Sequence, residues 1–292
     1  MLKTLKKYKA PYLFILPFFI LFFVFQLIPT LWTFYISLTN WKGIGSPEFC
    51  GLGNYQKMMI DNMFWESLGN TVIYWGTGLV LILCYALLIA CLLNSRFLKS
   101  NRARAFFKTA TFLPNVCAAI AMGLIFRMLF DENVGLINEV ISMAGGSKVP
   151  WLTSTTFSKI PVIILNIWRY TPWFTMILLS GLLNISRDYY EAATVDGAGS
   201  LQQFWYITLP SLKNILFFCS VTLTVDMWKL FNESYILPGP GTSNSSLFQY
   251  MYESGFNVFN MGYASAIGVV LILILMVISV IQFLVRRNQG EL

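Results

Sequence analysis

The chain has 292 residues, of which 57% are hydrophobic and only 11% are charged, and its mean hydropathy is +0.64. Ordinary soluble domains carry roughly 25% charged residues, so this composition excludes a soluble globular protein and indicates a membrane protein. The net charge is +7, but histidine is absent, which excludes a histidine general base, a Ser-His-Asp triad and a His-rich zinc site, and we expect no metal site.

Six apolar runs follow one another along the chain, each long enough to cross a bilayer as a helix of about 20 residues. They lack the two-residue alternation of polar and apolar positions that is typical of barrel strands. The pattern therefore predicts an all-α fold, with one transmembrane domain over residues 1–292. The predicted spans are residues 12–38, 68–93, 109–130, 160–183, 214–238 and 264–285.

Lysine and arginine predict the orientation of these spans, because cytoplasmic loops carry an excess of both. With both termini cytoplasmic, thirteen of the twenty basic residues lie in cytoplasmic segments. The net charge is then mostly an orientation signal, and we expect no nucleic-acid partner. The cytoplasmic basic residues are Lys3, Lys6, Lys7, Lys9, Arg96, Lys99, Arg102, Arg104, Lys108, Arg187, Lys213, Arg286 and Arg287, and the outer ones are Lys42, Lys57, Lys148 and Lys159.

The cytoplasmic segment between the fourth and fifth spans, residues 184–213, has its own helix signals. Two capping-box pairs, a glycine turn between them and a proline after them predict helix, tight turn, helix and return into the membrane. Taken alone, this pattern also fits an amphipathic hairpin that lies at the lipid headgroups. The pairs are Asp188 with Glu191 and Ser200 with Gln203, the turn glycines are Gly197 and Gly199, and the proline is Pro210.

This segment resembles the EAA loop of inner-membrane permease subunits of binding-protein-dependent ABC importers. FLPNV at 112–116, IWRYTPW at 167–173 and MGYASAI at 261–267 also resemble the maltose-type sugar permeases of that family. One departure is LPGPG at 237–241, where members often have Thr-x-Gly-Gly-Pro. The resemblance therefore does not assign the residues of the outer gate contact. The matching EAA positions are Glu191, Ala192, Ala193, Gly197, Ile207, Leu209 and Pro210.

The resemblance implies a type I ABC importer permease in the bacterial plasma membrane, whose EAA loop docks into an ATPase and carries ATP-driven motion into the spans. It implies a second homologous permease, two copies of an ABC ATPase that use ATP and Mg, and an extracytoplasmic sugar-binding protein. The chain lacks G-x-x-x-x-G-K-[ST], so we expect a transport subunit that is not an enzyme and binds no cofactor. The implied coupling residues are Glu191, Ala192, Ala193, Asp196, Gly197, Ile207, Leu209 and Pro210.

Five charged side chains fall within the predicted spans, where a charge at a helix centre costs about 2.5 to 3.5 kcal/mol. Arg127 and Glu233 lie near the outer ends, which favours snorkelling to the interface. Arg169 and Asp226 lie deeper, and two interpretations stay open for them. They pair with each other, or Asp226 pairs with Lys229, as structural contacts; alternatively, they line a polar path for a solute.

The resemblance to maltose-type permeases assigns solute-lining positions after Pro114 and in the fourth and fifth spans. Those in the fifth span follow a spacing of 0, 3, 4 and 7, which forms one helix face. Aromatic rings beside polar groups suit a sugar, which offers apolar CH faces and hydroxyls. The implied positions are Asn115, Arg169, Tyr170, Trp173, Leu223, Asp226, Met227 and Leu230.

The sequence thus predicts a permease subunit that imports a di- or oligosaccharide. The main alternative is another cargo of the same family, such as glycerol 3-phosphate, whose charge Arg169 suits but Asp226 and Glu233 disfavour. A less favoured class is an ion-coupled secondary transporter, which would predict an internal repeat and helices broken at matching places, and the sequence shows neither. An intramembrane enzyme lacks support, since the chain has no histidine and no G-x-S-x-G.

Overall fold

The computed structural model describes residues 9–95 and 100–288. Within these residues the chain is helical, with one isolated antiparallel bridge between Thr39 and Phe49 and no strand, which confirms the all-α prediction. Part of the orientation prediction lies outside the described residues: Lys3, Lys6, Lys7, Arg96 and Lys99.

The helices are numbered here in chain order. They are α1 (Lys9–Phe22), α2 (Ile28–Ser37), α3 (Gly53–Met59), α4 (Asn62–Asn94), α5 (Asn101–Val116), α6 (Ala119–Leu129), α7 (Leu136–Met143), α8 (Lys159–Leu183), α9 (Arg187–Val195), α10 (Ser200–Gln203), α11 (Leu209–Trp228), α12 (Asn232–Ile236), α13 (Leu247–Tyr252) and α14 (Met261–Asn288). Three π turns lie between them, at Phe23–Leu27, Phe204–Thr208 and Glu253–Asn257.

Five helical stretches of the described chain are long and apolar enough to cross a membrane, and a sixth span results if α5 and α6 count as one. Their number agrees with the six predicted apolar runs. The five stretches are Tyr12–Ser37, Asn62–Asn94, Lys159–Leu183, Ser200–Ile236 and Met261–Arg287.

The third predicted span is wrong as a continuous helix, because it bends by 94° between α5 and α6. Pro114 lies in the last turn of α5 and has no N–H for the carbonyl of Ala110, which weakens that turn. Cys117 and Ala118 then take extended backbone angles before α6 begins. The third run therefore forms two helices that meet at nearly a right angle.

The prediction that Pro210 ends the second helix of the cytoplasmic segment is also wrong. Helical backbone runs from Ser200 through Pro210 to Trp228, and it passes through the π turn Phe204–Thr208. The Leu209 N–H donates to the Phe204 carbonyl, five residues back. This wider turn, followed by Pro210 in the first turn of α11, lets the chain accept the proline without a break.

The chain forms two compact units: residues up to Asp61 with Met251–Ile274, and Asn62–Tyr250 with residues from Leu275 on. In the first unit, polar contacts join the start of α14 to the end of α3. The Tyr263 hydroxyl donates to the Asp61 carboxylate, and Lys57 Nζ lies 4.9 Å from the centroid of the Tyr263 ring. These contacts fix the outer start of the last predicted span within that unit.

The core of the second unit lies among α4, α8 and α11. On α4 every fourth residue from Tyr74 to Ala90 is buried, and small residues in this stripe permit close helix contact. On α8, a Cβ added to Gly181 would lie 2.4 Å from Ile215 Cδ1 and 2.8 Å from Leu212 Cδ2 of α11. This close packing holds α8 and α11, which carry the charged residues, side by side.

Candidate functional site

The cytoplasmic segment forms a hairpin of α9 and α10, which we call the coupling hairpin, residues 187–203. Its turn depends on Gly197, whose φ of 81° is in the left-handed region that favours glycine. The Ala198 N–H donates to the Ala193 carbonyl at 2.8 Å, and the Gly197 N–H donates to the Thr194 carbonyl at 3.1 Å. These bonds form a Schellman motif, which confirms the predicted tight turn.

Both predicted capping boxes are wrong, because each helix is capped by an earlier residue. Ser186 Oγ accepts from the Asp188 N–H at 3.3 Å, so Asp188 lies inside the first turn of α9. Gly199 is the cap of α10, and its N–H donates to Gln202 Oε1 at 2.8 Å, so Ser200 is already helical. Gly199 has φ −71°, so of the two predicted turn glycines only Gly197 adopts the left-handed conformation.

Side chains tie the two arms of the coupling hairpin together. Gln203 Nε2 donates to Thr194 Oγ1 at 2.9 Å and to the Ala198 carbonyl at 3.2 Å. The Tyr190 hydroxyl and Thr208 Oγ1 lie 2.9 Å apart, which links α9 to the π turn. The hairpin and the helix that follows it are therefore held as one stiff piece.

The coupling hairpin presents an exposed surface on this chain. Three large apolar side chains of the hairpin and of the π turn that follows it are solvent-accessible, with Val195 88%, Tyr206 81% and Leu201 71% exposed. A depression of about 240 Å³ lies at the turn, between Asp196 and Tyr206. Of the predicted coupling residues, Glu191, Ala192, Asp196, Gly197 and Pro210 are exposed, whereas Ala193, Ile207 and Leu209 are half-buried.

A second group of predicted residues forms what we call the polar cluster: Arg169, Tyr170, Asp226 and Glu233. Arg169 donates to the Glu233 carboxylate in an ion pair, with 24% of the arginine side chain and 2% of the glutamate side chain exposed. The guanidinium carbon lies 5.4 Å from the centroid of the Tyr170 ring. Tyr170 also lies within electrostatic reach of both Asp226 and Glu233.

The polar cluster corrects one prediction, because Glu233 is buried and does not snorkel. It also adds to the interpretations left open for Arg169, since its ion-pair partner is Glu233 and not Asp226. The cause is the end of α11 at Trp228, after which the chain turns before α12 begins. This turn directs Glu233 back to α8, whereas a continuous span would have carried it toward the membrane surface.

Three apolar residues predicted to line the solute path are buried in the core of the second unit. Leu223, Met227 and Leu230 are each at most 1% exposed and belong to the cluster of core side chains. Their burial favours a packing role in this conformation, and their contact with a solute stays a prediction.

The other two predicted path residues lie at the surface of this chain. Asn115 is exposed, next to the break between α5 and α6. Trp173 is 47% exposed and lines an open cavity of about 960 Å³. Apolar side chains from α5, α8 and α11 form most of its wall, and it is bordered by the polar side chains of Lys108, Ser180, Asn184 and Asn214.

The segment after α12, where the LPGPG departure lies, is a buried polar loop. Ser243, Asn244, Ser245 and Ser246 are each at most 2% exposed. The loop is held by α4, since the Tyr74 hydroxyl donates to the Asn244 carbonyl at 2.7 Å. This part of the outer end is thus built from serine and asparagine contacts that the family resemblance did not predict.

Asn166 is a polar residue of α8 that is not among the predicted site residues. It is 2% exposed, and neither its amide nitrogen nor its oxygen has a hydrogen-bond partner among the described residues. It lies four residues before Tyr170, on the same helix face. The signal available in the sequence was a single asparagine within an apolar run.

Comparisons with known proteins agree with the resemblance. The family model described as binding-protein-dependent transport system inner membrane component matches residues 83–290. The chain is 34% identical to the arabinooligosaccharides transport system permease protein AraP of Bacillus subtilis, over 94% of this chain and 88% of that protein. It is 33% identical to the lactose transport system permease protein LacF of Rhizobium radiobacter, over 95% and 94% of the two chains.

The fold is similar to a chain in the crystal structure of a bacterial ABC transporter involved in the import of the acidic polysaccharide alginate. The TM-score is 0.85, with 98% of each chain covered and 22% sequence identity. At this identity the likeness shows the fold alone, and it confirms the predicted importer permease architecture.

Proposed function

The chain belongs to the family of binding-protein-dependent transport system inner membrane components, and we propose that it is one permease subunit of an ATP-driven importer of di- or oligosaccharides. A second homologous permease, two copies of an ABC ATPase and an extracytoplasmic sugar-binding protein complete the importer. The ATPase subunits bind the ATP and Mg. The sugar assignment is supported by the similarity to AraP and LacF, which are permease proteins of transport systems for arabinooligosaccharides and lactose.

The observation that carries the proposal is the continuity of the coupling hairpin with the fifth span. Helical backbone runs from Ser200 to Trp228, and the hairpin turn is braced by Gln203. Asp226 lies 26 residues from Ser200, about 40 Å at 1.5 Å per residue. A displacement of the hairpin is therefore transmitted along one helix to the polar cluster.

The exposed side of the hairpin suits docking to the ATPase. A partner that buries Val195, Leu201 and Tyr206 gains favourable burial of apolar surface, and Glu191 offers a carboxylate for a basic group on the partner. Since the chain has no Walker A sequence, the energy for transport comes from that partner.

In the proposed path the sugar passes the polar cluster and the open cavity beside Trp173. Tyr170 and Trp173 offer aromatic faces for the sugar ring, and Arg169 and Asp226 offer groups for its hydroxyls. The cavity is open on this single chain, so the second permease supplies the opposite wall.

The test is reconstitution of the four kinds of subunit in lipid vesicles, with ATP on the ATPase side and sugar with binding protein on the other. We expect sugar uptake that requires ATP and ATP hydrolysis that the loaded binding protein stimulates. Uptake by this chain alone, or uptake driven by an ion gradient without ATP, would overturn the proposal.

A further inference from the structure

Resting on the proposed function, we infer that this subunit selects uncharged carbohydrates, and that Glu233 is the specificity-determining residue because it keeps Arg169 from attracting an anionic sugar. The fold does not decide this property, since a transporter of an acidic polysaccharide shares it. The charge of the solute must therefore be read from the side chains.

Arg169 is the charged residue that lies deepest in α8. An unpaired guanidinium at this depth would bind a carboxylate or phosphate strongly, because both accept two parallel hydrogen bonds from it. Glu233 already occupies it, and that carboxylate is almost completely shielded from solvent. A passing anion would have to displace a buried carboxylate of the protein.

The charges next to Arg169 are balanced. Asp226 is half-buried near the end of α11, and Lys229 follows it three residues later with the opposite charge. Together with Lys229, the polar cluster therefore contains two cationic and two anionic side chains, and their formal charges cancel. Lys108 borders the open cavity, but it precedes the predicted span at the cytoplasmic end, where water and salt screen it.

Asn166 is a buried polar residue whose hydrogen-bonding groups are not satisfied within the described residues. The Asn166 amide has one donor group and one acceptor atom, both without a partner among the described residues, and it lies one helical turn before the cluster. A hydroxyl can accept from the amide nitrogen and donate to the amide oxygen, whereas a carboxylate can only accept. This site therefore matches a neutral polyol better than an anion.

The experiment compares two solutes in the reconstituted importer: a neutral oligosaccharide and the same molecule with one hydroxymethyl group oxidised to a carboxylate. Both must first saturate the binding protein. For the unchanged chain we expect initial uptake to favour the neutral solute by about tenfold or more. Glu233→Gln should lower that ratio about tenfold by releasing Arg169, and the double variant Arg169→Gln/Glu233→Gln should restore it.

Glu139→Gln is the matched control, because it removes an exposed carboxylate on α7 that is not part of the cluster, and it should leave the ratio unchanged. If Glu233→Gln fails to fold, Asp226→Asn replaces it, because this half-buried residue can lose its charge without leaving a buried charge unpaired. This variant should lower the ratio about threefold.

Equal uptake of both solutes by the unchanged chain, or an unchanged ratio in the folded variant, overturns the inference. Absence of ATP-dependent uptake of the neutral solute would instead contradict the proposed function.

Discussion

The coupling hairpin and the polar cluster lie toward opposite ends of one helix, and they are built in opposite ways. The hairpin is held by hydrogen bonds between residues at most 18 positions apart, and its functional surface is exposed. The cluster depends on one ion pair between residues 64 positions apart, and its carboxylate is buried. A local sequence motif can therefore specify the hairpin, whereas the cluster exists only once the spans have packed.

The largest expected effect is on the hairpin turn. Gly197→Asp should abolish sugar uptake, a loss of about 100-fold or more, while the protein remains in the membrane, because it adds a charged side chain at the centre of the docking surface. No atom of the described residues lies within 4 Å of a Cβ at this position, so a clash inside this chain would not explain a loss of uptake, and backbone strain needs its own control. Uptake and the amount of protein in the membrane are measured together.

Gly145→Asp provides the control for backbone strain. Gly145 has φ 84°, ends α7 with the same Schellman pattern and has open space around it, but lies in a predicted outer segment. It should retain most of the uptake. Equal losses in the two variants would mean that strain, and not coupling, explains the Gly197 effect.

The next effect concerns the stability of the polar cluster. Glu233→Ala leaves Arg169 without its partner, and breaking a buried pair costs about 3 to 5 kcal/mol, with the lower end expected here because Arg169 keeps partial exposure. Thermal unfolding in detergent measures the loss. The double variant Arg169→Met/Glu233→Leu should recover most of it, and a double variant as unstable as the single one would contradict the pairing.

A smaller effect tests the packing that holds α8 against α11. Gly181→Ala places a methyl group against Ile215 and the buried Leu212, so we expect a loss of about 1 to 2 kcal/mol in thermal unfolding. Gly69→Ala on α4 is the matched control, because no atom of the described residues lies within 4 Å of its added methyl group, and it should be neutral or slightly stabilising. If both changes had the same effect, the close contact of α8 with α11 would be refuted.

The smallest effect lies in the outer turn between α6 and α7, away from both regions. The Val134 and Asn133 N–H groups donate to Asp131 Oδ1 and hold the pKa of that carboxyl below its ordinary value. The positive charges of Arg127 and Lys148 lower the pKa further. A depressed pKa means that the turn is stabilised above the ordinary aspartate value of about 4 and loses this support as the pH falls through the lowered value. As the pH falls through the lowered pKa, hydrogen exchange at the two amides should accelerate relative to its intrinsic rate. Asp131→Asn should remove that pH dependence. If the protection of the two amides in the unchanged chain did not vary with pH, the contact would be contradicted.

The success of the sequence predictions follows the same division between local and long-range contacts. Six apolar runs and the Gly197 turn were predictable, because hydropathy and a left-handed glycine act within a few residues. The bend after Pro114 and the passage through Pro210 were not, since a proline either breaks a helix or is absorbed by a π turn according to its surroundings. The Arg169–Glu233 pair was missed because it requires the break after Trp228, for which no local signal was recognised.

The central claim, that the coupling hairpin is the docking surface for the ATPase, is tested most directly by site-specific photocrosslinking in the assembled importer. A photoreactive residue at Val195, which is 88% exposed, is compared with one at Val134, which is 84% exposed in a predicted outer turn. The account predicts a covalent adduct between the chain and the ATPase from position 195 and none from position 134. An ATPase adduct from position 134, or none from position 195 in an importer that transports sugar, would contradict it.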